Sequence, residues 1–271
     1  MLMTSQGTAL VTGASSGIGA EFARRLAARG HDVVLVARSA PALKALADEV
    51  RRSHGVRAEV LVQDLSAPDA ATRVAEEVAA RGLTVDLLVN NAGFGTAGHF
   101  ARIAPGREHR ELMVNVVALV GLTHAFVPGM LARGAGGVIN VGSTAGFGIT
   151  PYFATYGSSK TFVLNFSLAL WSELRGSGVK VLAVTPGPVE TAFFDRIGTR
   201  KAAIGAKMTT PDQVVTSALR AFDRDRGYVA PGRGTLMMAH LMPRRPRKLM
   251  ALIGRRVTRP VADELTPSLA R

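Results

Sequence analysis

Tyr156, Lys160 and Ser143 are the residues whose types and spacing most directly suggest chemistry. Tyr156 and Lys160 lie four residues apart in a predicted helix, and positions i and i+4 share a helix face. A free phenol has a pKa of roughly 10, and a cation about 4 Å away at an effective dielectric of ~20 favours the phenolate by roughly 3 pKa units. We therefore expect Tyr156 to exchange protons near neutral pH. The alternative is a surface Tyr and Lys at a common spacing.

A glycine-rich turn lies between a predicted strand at residues 8–12 and a predicted helix from about residue 18. Gly13 permits a tight turn, Gly17 lets the backbone approach a pyrophosphate, and Gly19 lets the helix pack close to the sheet. The helix N-terminus offers free N–H groups and a positive dipole end to phosphates. The alternative is a βα turn without a ligand. The predicted cofactor-binding residues of this turn are Gly13, Ser15, Ser16, Gly17, Ile18 and Gly19.

The end of the second predicted strand distinguishes between the two nicotinamide cofactors. An NAD site usually places an acid there, which binds the ribose 2′-hydroxyl. This chain has Ala37 and Arg38 instead. A guanidinium can pair with a 2′-phosphate, and no acid repels it. Arg38 therefore predicts NADP(H) rather than NAD(H), whereas the alternative is an arginine that is only solvated.

The elements that position these residues follow from alternating apolar runs and helical patterns. The apolar runs are continuous, as is typical of a parallel sheet buried on both faces. Strict β–α alternation with right-handed crossovers predicts an α/β fold, a doubly wound, Rossmann-like parallel sheet. Strands are predicted at residues 8–12, 32–37, 57–62, 86–90, 137–141, 180–184 and 227–230. Helices are predicted at about residues 18–29, 41–54, 67–81, 106–133 and 156–175.

Length and composition limit the class of protein. A chain of 271 residues that is 47% apolar suits one large domain, 1–271. We divide it into core motifs at 7–191, a substrate loop and last strand at 192–235, and a C-terminal extension at 236–271. Residues 190–210 are less regular and are interpreted as a mobile loop. The chain has no cysteine, which excludes disulfides and thiolate catalysis and fits a cytoplasmic protein.

Two stretches of the sequence are considered as a signal peptide and as a membrane-spanning helix. The first seven residues have neither a basic segment nor an apolar run, so we expect no signal peptide. Residues 112–132 contain no Asp, Glu, Lys or Arg, which is long enough for a membrane span. Asn115, Thr123, His124 and Pro128 interrupt this stretch, and a buried helix is the preferred interpretation.

Several motifs, taken together and in order, resemble the short-chain dehydrogenase/reductase family, in its NADP-preferring form. The resemblance covers about residues 7–191 and implies a single catalytic domain with a nicotinamide cofactor. It also implies a homo-oligomer, because the helices at 106–133 and from 156 pair in that family. The motifs are the turn at 12–19, Asn90-Asn91-Ala92-Gly93, Asn115, Ser143, Tyr156 with Lys160, and the run 186–191.

The resemblance implies a role for each matching residue. Ser143 and Tyr156 would hold a substrate oxygen, and Lys160 would stabilise the phenolate and bind the nicotinamide ribose. Asn115 would hold a water in a proton relay behind Lys160. Asp64 would contact the adenine amino group, with Leu65 beside it. The remaining cofactor-binding residues implied are Asn91, Ala92, Gly93, Pro186, Gly187, Val189 and Thr191.

The C-terminal region carries much of the basic charge. The chain has 33 Lys or Arg and 20 Asp or Glu, a net charge of +13, and nine of the basic residues lie within 226–262, which has no acid. Residues 236–259 alternate apolar and basic runs. They fit a lid over an apolar pocket, a segment drawn to anionic lipid, a docking site for an acidic carrier protein, or a segment that packs on a partner. No nucleic acid is expected, because this stretch lacks Phe, Tyr and Trp for base stacking.

These features together predict an NADP(H)-dependent oxidoreductase acting on a ketone or secondary alcohol of lipophilic character. One alternative is a 3-oxoacyl-thioester reductase served by a carrier protein. Another, of a different class, is a non-catalytic dinucleotide-binding module. The six histidines form no ligand-like spacing, so no metal site is expected.

Overall fold

Seven parallel strands form one sheet in the order β3-β2-β1-β4-β5-β6-β7. The structure is a computed structural model, and it describes residues 7–205 and 207–266. This arrangement confirms the predicted doubly wound α/β fold. The strands are β1 (Thr8–Thr12), β2 (Asp32–Ala37), β3 (Ala58–Val62), β4 (Val85–Asn90), β5 (Gly136–Val141), β6 (Val179–Val184) and β7 (Tyr228–Val229).

Helices cover both faces of the sheet, so the strands are buried from two sides. On one face, Phe22, Leu43 and Leu219 pack in one apolar cluster with the sheet. On the other face, Val74 and Leu122 belong to a second cluster. The α-helices are α1 (Gly17–Ala28), α2 (Ala40–His54), α3 (Ala70–Ala80), α4 (Pro105–Leu112), α5 (Leu119–Arg133), α6 (Ala154–Glu173), α7 (Phe193–Ile197), α8 (Pro211–Asp223), α9 (Arg233–Leu241) and α10 (Arg247–Leu265).

The predicted long helix at 106–133 consists of α4, a π-helical segment Met113–Ala118, and α5. By length and composition Pro105–Arg133 could cross a membrane, although 33% of its most apolar window is buried against the rest of the protein. Leu122 and Met130 face the core, whereas Val117 and Leu131 are exposed. The expectation of a buried helix therefore holds for one face of this helix only.

The regions outside the core motifs contain more structure than the sequence patterns indicated. Residues 190–210, interpreted as a mobile loop, contain α7 and a 3-10 turn at Arg200–Ala203. The C-terminal residues form α9 and α10. Thr258 of α10 donates a hydrogen bond to the Pro151 carbonyl at 2.8 Å. The His99 amide donates to Thr266 Oγ1 at 2.7 Å. The C-terminus is thus held against two loops at the carboxyl edge of the sheet. The first six residues, which bear on the signal-peptide prediction, lie outside the described residues.

Candidate active site

A deep cleft of about 1220 Å³ opens at the carboxyl ends of the strands. Strand order reverses between β1 and β4, and such a switch point is where open α/β sheets bind ligands. Of the predicted site residues, Gly19 and Asn115 lie behind the wall. The others line the cleft: Gly13, Ser15, Ser16, Gly17, Ile18, Arg38, Asp64, Leu65, Asn91, Ala92, Gly93, Ser143, Tyr156, Lys160, Pro186, Gly187, Val189 and Thr191.

The glycine turn joins β1 to α1 at one end of the cleft. Gly13 has a φ of +65°, and a Cβ there would lie 2.8 Å from Asn91 Nδ2. A Cβ on Gly19 would lie 2.4 Å from the Gly13 carbonyl oxygen, so the start of α1 packs directly on the turn. The N-cap residue Ser16 makes no side-chain cap hydrogen bond. The first N–H groups of α1 therefore remain available to an anion.

The end of β4 is tied to the end of β1 beside this turn. The Asn91 amide N–H donates to Thr12 Oγ1 at 2.9 Å, and its side-chain Nδ2 donates to the Thr12 carbonyl at 2.8 Å. The Ala92 amide also donates to Thr12 Oγ1, at 3.0 Å. These bonds fix the position of the segment that continues to Gly93 at the floor of the cleft.

Arg38 and Asp64 lie on the far side of the glycine turn, after β2 and β3. Asp64 Oδ1 accepts hydrogen bonds from the Ser66 amide and hydroxyl, at 3.0 and 2.9 Å. These bonds lower the pKa of Asp64, burial opposes them, and the charges of Arg38 and Arg110 lower it further. Arg38 is exposed, and within 7–205 and 207–266 its guanidinium makes no ion pair. Arg110, which the sequence patterns did not single out, adds a second cation to this end.

Ser143, Tyr156 and Lys160 meet on the central part of the cleft wall. Ser143 lies two residues after the end of β5, and its hydroxyl accepts a hydrogen bond from the Ala145 amide at 3.2 Å. Tyr156 and Lys160 share a face of α6, as predicted, with Lys160 Nζ 5.9 Å from the centre of the Tyr156 ring. Lys160 is buried and donates to the Val141 carbonyl at 3.0 Å. One hydroxyl, one phenol and one amine thus face the same space.

The prediction that the pKa of Tyr156 is lowered towards neutrality is wrong for the protein without a cofactor. Burial raises the pKa of Tyr156 to about 12, the neighbouring Ser143 hydroxyl lowers it, and the Glu111 carboxylate raises it. Burial also lowers the pKa of Lys160 to about 8, while Glu111 raises it. Removal from water disfavours both charged forms, and at Tyr156 this burial is the largest cause of the shift, so it outweighs the acidification expected from a neighbouring ammonium.

Asn115 lies behind Gly93 within the π-helical segment and is 1% exposed. Its Oδ1 accepts from the Phe94 amide at 3.2 Å, and its Nδ2 donates to the Phe94 carbonyl at 2.9 Å and to Ser159 Oγ at 3.1 Å. Oδ1 retains one free lone pair. Asn115 therefore anchors the cleft wall, and its role with a relay water stays a prediction.

The outer half of the cleft is apolar and comes from regions that the motifs do not cover. Phe193 of α7 packs against the Tyr156 ring, with centroids 5.5 Å apart. The cleft is also lined by Met237 of α9 and by Met250 and Ile253 of α10. Thioether and aliphatic side chains provide an adaptable apolar wall. The sequence suggested a C-terminal lid, but Phe193 had no sequence signal beyond its place in an irregular segment.

Comparison with known proteins places this site in a family. A family model described as short chain dehydrogenase matches residues 7–202. The chain is similar to the very-long-chain 3-oxoacyl-CoA reductase of Mycosarcoma maydis, with 35% identity over 84% of this chain and 64% of that protein. It therefore spans less than two thirds of that curated relative.

Two solved structures resemble the chain over nearly its whole length. One is a short-chain dehydrogenase from Sphingobium yanoikuyae in complex with NADPH, with 34% identity, 98% coverage of both chains and a TM-score of 0.79. The other is the bulky-bulky ketone specific alcohol dehydrogenase from Comamonas testosteroni, with 29% identity, coverage of 99% and 98%, and a TM-score of 0.75.

The doubly wound sheet, with the glycine turn after β1 and with Ser143, Tyr156 and Lys160 in the same cleft, defines the class of Rossmann-type oxidoreductases. More narrowly, the chain belongs to the short chain dehydrogenase family. This confirms the resemblance drawn from the motifs.

Proposed function

We propose that the protein is an NADP(H)-dependent oxidoreductase that interconverts a lipophilic ketone and its secondary alcohol. The observation that carries this proposal is the position of Ser143, Tyr156 and Lys160. They lie between a turn suited to a dinucleotide and a pocket with apolar walls. A phosphate-binding turn without Ser143, Tyr156 and Lys160 would fit a non-catalytic dinucleotide-binding module equally well.

The residues of the cleft fit a dinucleotide phosphate. The turn leaves no room for a side chain at Gly13 or Gly19 and presents the N-terminus of α1. Arg38 offers an exposed guanidinium to the 2′-phosphate, with Asp64 and Leu65 beside the adenine and Pro186 to Thr191 along the nicotinamide. When bound, the nicotinamide supplies or accepts the hydride.

Residues of the chain bind the substrate oxygen and transfer a proton to it. The Ser143 hydroxyl donates a hydrogen bond to the substrate oxygen and fixes its position. In reduction, the Tyr156 phenol donates its proton to the same oxygen as negative charge develops there. Lys160 stabilises the phenolate, and Asn115 holds the floor on which Lys160 rests. Oxidation of an alcohol reverses these steps.

The apolar outer cleft supports a bulky, lipophilic substrate. This agrees with the ketone named for the Comamonas testosteroni relative. A second candidate is a 3-oxoacyl thioester, as named for the Mycosarcoma maydis relative. Arg107, Arg196 and Lys207 line the cleft and would suit the phosphates of such a thioester.

A panel assay tests the proposed function. NADPH consumption is measured with ketosteroids, aliphatic ketones, quinones and 3-oxoacyl thioesters, with Tyr156→Phe as the inactive control. We expect turnover that the control lacks, and the ranking of substrates decides between ketone and thioester. NADPH binding without turnover on any member would instead indicate the non-catalytic dinucleotide-binding module.

We further propose that α10 rests on an anionic membrane surface, as part of a cytoplasmic protein. Lys248, Leu252, Arg255 and Arg259 are spaced by four, three and four residues, so they share one helix face. All four are exposed, and Leu252 is 64% exposed. The opposite face supplies Met250 to the cleft. Cations beside exposed leucines favour anionic lipid, from which an apolar substrate could enter the cleft directly.

Flotation with vesicles tests this surface. The wild type should float with phosphatidylserine-containing vesicles at low salt and not with phosphatidylcholine vesicles alone. Replacing Arg255 and Arg259 by Gln should abolish flotation, whereas the same change at Lys44 and Arg52 on α2 should not. Binding of an acidic carrier protein without flotation would favour the other occupant of this surface.

The exposed faces of α5 and α6 support a homo-oligomer. Phe162 and Phe166 of α6 stack with centroids 5.7 Å apart, and Phe162 is 40% exposed. Leu131 of α5 is exposed to the same degree, 40%. Covering these exposed side chains with a second copy would remove apolar surface from water. Light scattering of the purified protein decides this, since a monomer at micromolar concentration would contradict it.

A further inference from the structure

Glu111, in the last turn of α4, is a carboxyl wholly removed from solvent, with an exposure of 0%. Its Oε2 accepts two hydrogen bonds from Thr96, from the amide at 2.8 Å and from Oγ1 at 2.6 Å. Its Oε1 makes no hydrogen bond within the described part of the chain. A buried carboxyl with one unpaired oxygen is costly. Such a group calls for an explanation that the assigned catalytic residues do not provide.

Glu111 and Asn115 hold alternate residues of one loop segment. Asn115 makes two hydrogen bonds to the Phe94 backbone, at 3.2 and 2.9 Å. Glu111 holds Thr96 through two more. The two side chains lie four residues apart on the helix, across the start of its π-helical segment. The segment from Gly93 to Thr96 is therefore fixed at two points by a single helix.

The residues between these anchors contact the reactive side chains. A Cβ on Gly93 would lie 3.0 Å from Asn115 Oδ1 and 3.3 Å from Lys160 Nζ. A Cβ on Gly95 would lie 3.0 Å from Tyr156 Cδ2. Gly93 thus lies beside the amine and Gly95 beside the phenol ring, with no room for a side chain on Gly95 without displacing its neighbours. Any shift of the segment displaces the surface on which both side chains rest.

We propose that Glu111 is a positioning residue of the active site, which holds the segment from Gly93 to Thr96 against Tyr156 and Lys160 through its bonds to Thr96. Asn115 alone anchors only the first half of the segment. Without Glu111, Gly95 would lose its nearest fixed point on the helix, and the rings of Tyr156 and Phe193 would lose the backbone that lies beside both of them.

The charges around Glu111 support this role. The titratable groups that face it are Lys160 and Tyr156 on α6 and Glu108 on its own helix. Burial raises the pKa of Glu111 to about 7, while the Thr96 bonds and the charge of Lys160 lower it. Glu111 in turn raises the pKa of Lys160 and of Tyr156. The same carboxyl that fixes the wall therefore also acts on the proposed proton donor, Tyr156, and on the neighbouring Lys160.

The test compares Glu111→Ala with Glu111→Gln. Only its kinetic measurements rest on the proposed function, because they require turnover. Gln keeps an oxygen that can accept both Thr96 bonds, whereas Ala removes it. We expect Glu111→Ala to lower kcat roughly 100-fold, the cost of a misplaced reactive group. The KM for NADPH should change less than about threefold, because no phosphate contact is altered. Glu111→Gln should retain kcat within about threefold. Glu76→Gln, which removes an exposed carboxyl on α3 that does not line the cleft, should behave as the wild type.

Hydrogen exchange provides a readout independent of turnover. Peptides containing the Thr96 amide should lose protection in Glu111→Ala and keep it in Glu111→Gln. Thr96→Val, which removes one of the two bonds without a cavity, should give an intermediate loss if Glu111→Ala does not fold. The proposal is overturned if protection is lost while kcat is unchanged, or if Gln is as harmful as Ala. If the wild type turns over no substrate, the proposed function fails, while exchange still decides whether Glu111 anchors the segment.

Discussion

Glu111→Gln should make the stability of the protein less dependent on pH. Burial raises the pKa of Glu111 from 4.5 to about 7 in the folded protein. A raised carboxyl pKa means that folding favours the protonated form. Its contribution to stability is thus complete below about pH 4.5 and is lost as the pH rises through about 7. With ~1.36 kcal/mol per pKa unit, the full loss is roughly 3 kcal/mol, of which about 2.5 kcal/mol falls between about pH 5 and pH 8.

Urea denaturation of the protein without cofactor measures this effect. The free energy of unfolding of Glu111→Gln, relative to wild type, should rise by about 2.5 kcal/mol from about pH 5 to pH 8. The amide also leaves an unpaired group at the position of Oε1, but that cost does not vary with pH and cancels in the comparison.

A matched control isolates the buried charge. Glu173→Gln makes the same change at an exposed position near the end of α6, and its difference from wild type should not vary with pH. A pH-independent difference for Glu111→Gln as well, within about 0.5 kcal/mol, would refute the reasoning, because it would mean that the carboxyl reaches water in the folded protein.

Two further predictions concern the cleft. Tyr156→Phe removes the transferable proton with little change in shape, so turnover should be lost while NADPH binding, followed by fluorescence titration, is largely kept; retention of most of the kcat would contradict the role of Tyr156. Arg38→Ala removes the exposed guanidinium, so NADPH affinity should fall roughly 10- to 100-fold, as for a charge-assisted hydrogen bond, with little effect on NADH. An unchanged ratio of the two dissociation constants would rule out the contact with the 2′-phosphate.

The core of the fold was predictable because its signals are local. The strands from β1 to β6 are largely apolar runs between turn residues, and α1, α2 and α3 repeat their apolar residues at helical spacing. The glycine turn carries its own geometric reason at Gly13 and Gly19. The C-terminal region was different, because α9 and α10 are amphipathic and their docking depends on contacts such as that of Thr258 with Pro151.

The residues of the candidate site were predictable from the sequence, but the pKa values of these residues were not. Ser143, Tyr156 and Lys160 could be identified from type and spacing, whereas the direction of the pKa shift of Tyr156 could not. The spacing of two residues gives the attraction between their charges, but desolvation depends on every side chain that closes over them. Glu111 shows the same limit, since the sequence places it as one more charged residue in a helix.

Residue type and order alone indicate the doubly wound sheet, the glycine turn, the Ser143, Tyr156 and Lys160 group and the basic C-terminal region. These depend on residue type and on short spacings that any chain with this order must present. The packed fold, by contrast, buries Glu111 near Lys160, brings Phe193 and α10 to the outer cleft wall, and leaves Arg38 exposed. Burial and long-range contact are properties of the packed chain, and they set the proton affinities from which the proposed chemistry follows.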